Sequence, residues 1–174
     1  MIMNQRNHQQ GFTLIELLLY VGTASIMLLV TSLFLSTLLQ SRIKNQTIAE
    51  VEQQGLQVMQ LITQTARNAE AITDPAVGEI ASELTLTIVD ASKNPTHFEL
   101  SGNGVILVNE GAGAQISLTN SRITASGLLF SNLSRASTPG TIRIQFTLTH
   151  ANPAGRNEYN FSKIFIGSAT LRQP

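Results

Sequence analysis

Cysteine is absent from the 174 residues of this chain. Disulfide bonds and thiolate chemistry are therefore excluded, and the folded part must be held by packing and hydrogen bonds alone. Charge is also scarce, since only 13% of the residues are charged and 11 basic residues balance 11 acidic ones. This balance gives no strong sign of binding to nucleic acid or to an anionic surface.

Proline is missing from residues 12–72, and glycine occurs there only at Gly22 and Gly55. Because proline is the residue that ends helices, nothing in this stretch forces a break. The pattern predicts a continuous helix of about 60 residues, roughly 90 Å long at 1.5 Å per residue. Asp74-Pro75 is expected to close the helix, because the residue before a proline is pushed out of α space.

The first half of this helix has no charged residue from Leu17 to Gln40. A membrane-spanning helix needs about 20 mostly apolar residues, so this stretch is long enough. Glu16 lies one turn inside the otherwise uncharged segment, where an ionisable group costs about 2.5–3.5 kcal/mol and indicates a functional site. On hydropathy alone, the segment with its short polar leader fits an uncleaved signal anchor.

The second half of the predicted helix is amphipathic. Its apolar residues recur every three or four positions, which is typical of a helix with one buried face. They are Ile48, Val51, Gly55, Val58, Ile62, Ala66, Ala69 and Ile72. This half is expected to lie against a globular domain.

After Gly78 the pattern changes to the two-residue alternation of β-strands. The predicted strands are residues 84–88, 97–100, 105–108, 115–119, 128–133, 141–149 and 159–171. The last two flank Asn152-Pro153-Ala154-Gly155 and predict an antiparallel hairpin. One long helix followed by a run of strands predicts an α+β fold, with the helix packed on an antiparallel sheet.

Residues with the spacing of a catalytic or metal site are not apparent. The three histidines lie in the leader, a predicted strand and a predicted loop edge, without metal-ligand spacing: His8, His97 and His150. Nucleophile-elbow and phosphate-loop motifs are absent, and the loop at residues 74–83 has too few acids for calcium. We therefore expect no catalytic residue, cofactor or metal, and no enzyme activity.

Gly11-Phe12-Thr13-Leu14-Ile15-Glu16, followed by the apolar helix, resembles the N-terminal signal of the type IV pilin and pseudopilin superfamily at every position. Residues 50–55 and 62–69 also resemble the helix of minor pilins and of the minor pseudopilin called J. The resemblance covers about residues 10–72. The chain departs from many members in having no disulfide and no proline further into the helix.

The resemblance implies cleavage between Gly11 and Phe12 by a prepilin peptidase, and methylation of the new Phe12 amine. It implies that Glu16 pairs with the Phe12 amine of a neighbouring subunit and sets the axial register. The implied divisions are a leader at residues 1–11, a transmembrane or filament-core half-helix at 12–40, an amphipathic half-helix at 41–73 and a β domain at 74–174.

The function implied by the resemblance is a structural subunit, minor or at the tip rather than major, of a type IV pilus or a related filament. The alternatives are a pseudopilin of a type II secretion or DNA-uptake machine and, more remotely, a signal-anchored extracytoplasmic enzyme or binding protein. The implied partners are the peptidase, other pilin or pseudopilin subunits, the inner-membrane assembly platform and the membrane. The chain would first cross the cytoplasmic membrane once, with its C-terminal domain outside, and then enter the filament.

Overall fold

The structure is a computed structural model that describes residues 12–136 and 138–172. It has the predicted α+β fold, with one long N-terminal helix and two antiparallel sheets. The helix α1 spans Leu14–Arg67. By its contacts the chain divides into two units, Met1–Arg42 and Ile43–Pro174, and α1 contributes to both.

The end of α1 differs from the prediction. The helix ends at Arg67, and Ala69–Asp74 forms strand β1, so Ala69 and Ile72 do not belong to the helical stripe. Ala69 pairs with Ile88 and Ile72 with Leu86, which satisfies the main chain through a strand ladder instead of a helix. Asp74 is consequently the last residue of a strand, and the Asp74-Pro75 pair does not close the helix.

Two antiparallel sheets form the β domain. The first has the order β1-β3-β4-β5-β6 and the second the order β2-β7-β8-β9. The strands after β1 are β2 Ile80–Ala81, β3 Leu84–Ile88, β4 Thr96–Leu100, β5 Ile106–Glu110, β6 Ile116–Ser117, β7 Ile123–Asn132, β8 Thr141–His150 and β9 Ser162–Thr170. A short 3₁₀ helix, Asn157–Tyr159, lies between β8 and β9.

Each predicted strand overlaps a strand of the structure. The hairpin of β8 and β9 is confirmed, with pairs from Thr141 opposite Thr170 to Thr149 opposite Ser162. Strand β7 begins at Ile123, five residues before the predicted start. Its buried residues are separated by a bulge between Ser126 and Leu129, which interrupts the alternation that predicts strands. Strand β2 was not predicted, because two residues are too few for a pattern.

One buried cluster joins both sheets to the second half of α1. The first sheet contributes Leu84, Leu86, Phe98, Ile106 and Val108, and the second contributes Phe130, Ile142, Ile144, Phe146 and Leu148. The buried helix positions are Thr47, Val51, Gly55, Val58, Ile62 and Ala66. The predicted stripe is therefore confirmed from Val51 to Ala66, with Thr47 buried in place of Ile48.

Candidate functional site

The apolar helix begins with a side-chain cap. Thr13 precedes Leu14, and its Oγ1 accepts a hydrogen bond from the main-chain N–H of Glu16 at 3.4 Å. The Thr13 carbonyl accepts the N–H of Leu17 at 3.1 Å. Thr and Glu three positions apart are the residues of a capping box, and an acid in the first turn complements the positive end of the helix dipole. Glu16 thus lies where a carboxylate stabilises the start of the helix.

Phe12, the residue implied to carry the new N-terminus, lies immediately before this cap. Its side chain is 71% exposed. Its ring meets that of Tyr20 edge-on, with 5.9 Å between the centroids. Gly11 lies outside the described residues, as does the rest of the leader implied at residues 1–11. Of the three signal residues, the structure therefore places Phe12 and Glu16 together at the beginning of α1.

The first part of α1 is apolar all round, and its described side chains from Phe12 to Arg42 are exposed. Hydroxyl groups within it bond the carbonyl four residues earlier: Thr23, Ser25, Thr31 and Thr37. A polar group is costly in lipid unless it has such a partner. By length and composition this helix could cross a membrane. A Cβ added to Gly22 would have no heavy atom of the described residues within 4 Å, so the helix surface at this position is open.

The second part of α1 has a close contact with strand β9 at Gly55. A Cβ built on Gly55 would lie 2.0 Å from Cζ of Phe165, so only glycine leaves room for this ring. The same ring stacks on Phe146, with 5.4 Å between the centroids. One turn further along the helix, Met59 fills the space above Gly167. These contacts fix the helix on the second sheet.

A cleft of about 510 Å³ lies between this half of the helix and the loop of the β8–β9 hairpin. Its centre is His150, whose side chain is 7% exposed. Nδ1 of His150 lies 2.9 Å from the Ala151 carbonyl oxygen and therefore donates a proton to it, which leaves Nε2 facing Glu50 at 3.7 Å. The His150 ring stacks on Tyr159, and the Arg156 guanidinium lies over the same tyrosine ring.

Glu50 also receives a hydrogen bond from Asn120 at 3.1 Å and lies 3.5 Å from the Arg122 guanidinium. On the same side of the domain, Lys44 donates to the carbonyls of Asn157 and Asn160. The Lys44 contacts join the helix to the hairpin loop, and the Glu50 contacts join it to the segment before β7. We interpret the cleft as part of this attachment. Sequence reasoning missed it because Glu50 and His150 are a hundred positions apart.

A second polar cluster surrounds His97 on the first sheet. Its Nδ1 lies 3.0 Å from Thr85 Oγ1, and its Nε2 lies 3.7 Å from Glu83 and 3.6 Å from Glu99. Within residues 12–136 and 138–172, no group of three or more His, Cys, Asp or Glu side chains is arranged to hold a metal ion. The His97 cluster is accordingly a polar surface network.

Comparison with known proteins identifies no relative of this chain. No protein-family model, no curated protein and no solved structure matches the chain. What connects it with type IV pilins is therefore the sequence of residues 11–16 and the pilin-like architecture, in which a long apolar N-terminal helix continues into a half that packs on antiparallel sheet.

Proposed function

We propose that this protein is a structural subunit of a type IV pilus or a related filament, and that it has no enzyme activity of its own. The observation that carries the proposal is the position of Gly11-Phe12-Thr13-Leu14-Ile15-Glu16 directly at the start of an unbroken 54-residue helix. The apolar first part of that helix is exposed, and such a surface requires lipid or a bundle of like helices around it.

The proposed sequence of events begins in the cytoplasmic membrane. The first half of α1 crosses this membrane once, with the β domain outside. A prepilin peptidase then cuts after Gly11, and the new amine of Phe12 is methylated. The membrane platform then transfers the subunit into the filament, where the apolar half-helix exchanges lipid for the helices of neighbouring subunits. Resemblance of residues 50–55 and 62–69 to minor subunits favours a minor or tip position.

Glu16 has two proposed roles. Locally, its main-chain N–H bonds the Thr13 Oγ1 that caps the helix, at the position where a capping box has Glu or Gln. Between subunits, its carboxylate pairs with the cationic Phe12 amine of a neighbour and so sets the register. Breaking a buried ion pair by removing one partner costs about 3–5 kcal/mol, enough to impair assembly. The local position in the first turn suits either Glu or Gln, whereas the role between subunits depends on the charge.

Glu16→Gln and Glu16→Asp separate the local role from the role between subunits. Glu16→Gln keeps a side chain that is suited to the third position of a helix but removes the charge. We expect Glu16→Gln and Glu16→Ala to be cleaved as well as the wild type but to be depleted from sheared filaments, measured by immunoblot against the membrane fraction. Glu16→Asp keeps the charge and is the matched control. Full incorporation of Glu16→Gln would refute pairing through charge.

Processing tests the proposal itself against the signal-anchored alternative. Intact-mass spectrometry of the protein from a membrane that contains a prepilin peptidase should give a chain that starts at methylated Phe12. An intact Met1, or any other first residue, would overturn the proposal. Gly11→Val should block the cleavage, because the signal has glycine at this position.

A pseudopilin of a type II secretion or DNA-uptake machine is the second candidate, favoured by the similarity of residues 50–55 and 62–69 to the minor pseudopilin called J. The neighbouring genes separate it from a pilus subunit. A pilus subunit should lie beside the assembly ATPase and the other pilins of a pilus, whereas a pseudopilin should lie beside secretion or competence genes.

A further inference from the structure

Strand β9 is an edge of the second sheet, since among the described residues its only neighbour in the sheet is β8. Hydrogen bonds continue this ladder at both ends, from His150 N–H to the Phe161 carbonyl and from Leu171 N–H to the Gly140 carbonyl. Bonded and non-bonded pairs alternate in an antiparallel ladder. The residues of β9 that bond β8 are therefore the odd-numbered ones, and the main-chain groups of Ile164, Ile166 and Ser168 point to the free edge.

The side chains of these same residues lie on the outer face of the sheet, opposite the face that packs against α1. Ile164 and Ile166 are 59% and 58% exposed. Ile166 lies in one row with Gln145 and Leu129, and Leu129 is 41% exposed. Ile80, at the other edge, is 66% exposed. Native edge strands are normally protected by charges, proline or a bulge, and this part of β9 has none of these on its outer face.

Charge on this face is confined to one residue. Among the outward side chains of the four described strands, only Arg143 is charged. Its neighbours in the cross-strand row are small, Ser168 on β9 and Ser131 on β7. Within the described residues, no carboxylate forms an ion pair with it. Depletion of charge around an isolated arginine is typical of the centre of a protein interface.

The isolated arginine also indicates the kind of partner. A second copy of this face would bring another arginine and no acid, so it would leave both guanidinium groups without a carboxylate. A partner strand paired with β9 would lie two strand spacings from β8, about 9.6 Å. A carboxylate opposite Ser168 would then face Arg143 across the small serine side chain.

We propose that the free edge of β9 binds an extended segment of another protein by strand addition. The segment has aliphatic side chains opposite Ile164 and Ile166 and an acidic residue opposite Ser168, where it meets Arg143. Main-chain hydrogen bonds supply affinity in this mode, and the side chains at alternate positions supply specificity. The proposal concerns what the β domain binds and does not depend on assembly into a filament.

The test uses the full chain in a neutral detergent and a fluorescein-labelled peptide with the sequence Ser-Glu-Thr-Val-Thr-Ile-Ser. We expect fluorescence anisotropy to show at least tenfold tighter binding than for the same peptide with Lys in place of Glu. Arg143→Glu should reverse this preference. A peptide with N-methyl groups on the amides that would face β9 should not bind, because it cannot donate the main-chain hydrogen bonds that pair it with the strand.

Ile166→Lys should weaken binding at least tenfold, whereas Ile116→Lys on β6, an edge strand of the first sheet, should leave it unchanged. Unfolding temperatures equal to that of the wild type establish that the variants are folded. Equal affinity for the Glu and Lys peptides, or no binding of either at 1 mM, would overturn the proposal. A concentration-dependent dimer in sedimentation that Ile166→Lys abolishes would also overturn it, because the occupant would then be a second copy.

Discussion

Gly55→Ala tests whether the contact between Gly55 and Phe165 holds the helix on the second sheet. The new Cβ would lie 2.0 Å from Cζ and 2.4 Å from Cε1 and Cε2 of the ring. Carbon atoms normally approach to about 3.5–4.0 Å, so the ring must move by about 1.5 Å. It cannot do so freely, because Phe146 stacks on it and the Lys163 ammonium lies 5.7 Å from its centroid.

The magnitude follows from two opposing effects. Inserting a methylene into a well-packed core costs about 1–3 kcal/mol, and the shortness of this contact places the cost near the upper end. Alanine is better than glycine in a helix interior by about 1 kcal/mol. The free energy of unfolding should therefore fall by about 2 kcal/mol. For a chain of this size the melting temperature should fall by about 4–8 °C.

The assay is thermal unfolding of the full chain in detergent, followed by tyrosine fluorescence, since the chain has no tryptophan and Tyr159 lies on the hairpin loop. Gly22→Ala is the matched control, because nothing lies within 4 Å of its built Cβ. In a Phe165→Ala background the steric conflict is gone, so Gly55→Ala should stabilise by about 1 kcal/mol. If Gly55→Ala is equally destabilising with and without the ring, the proposed contact is wrong.

Three further predictions follow from the same part of the chain and from the turns. Gly167→Ala should cost less than about 1 kcal/mol in thermal unfolding, because the conflict is with the flexible end of the Met59 side chain, 2.5 Å away at Sδ. Lys44→Met should lower the unfolding free energy by about 1 kcal/mol and speed hydrogen exchange in the hairpin loop, since two hydrogen bonds are lost. The Ser92 hydroxyl, and then its main-chain N–H, hold the pKa of Asp90 below its ordinary value. This turn is thus stabilised above the ordinary pKa of an aspartate and loses that stabilisation as the pH falls through the lowered pKa; an NMR titration of Ser92→Ala should show the Asp90 pKa rising.

The sequence predicted the elements whose patterns are local. The proline-free stretch gave the long helix, and the spacing from Val51 to Ala66 identified its buried face. Strict alternation at residues 141–149 located β8. The motif at residues 11–16, with Phe12 and Glu16, was recognised by its order along the chain, because six consecutive residues are a local feature.

Tertiary structure decided where these elements end and what they contact. The sequence did not indicate that the helix ends at Arg67, because Ala66 and Ala69 fit a helical spacing. Only the pairing of β1 with β3 places Ala69 in a strand. The division of the nine described strands into two sheets, and the position of β9 at an edge, depend on which strands pair.

The sequence by itself therefore determined a long apolar helix that begins with the motif of residues 11–16, followed by a disulfide-free β domain. Only the folded chain decided that Gly55 receives the ring of Phe165 and that Glu50 meets His150. It also decided that Arg143 is the one charged residue that the described strands of the second sheet place on its outer face. The physical reason is that each of these contacts joins residues far apart in the chain. Their proximity is set by strand register and packing, which periodicity along one sequence does not specify.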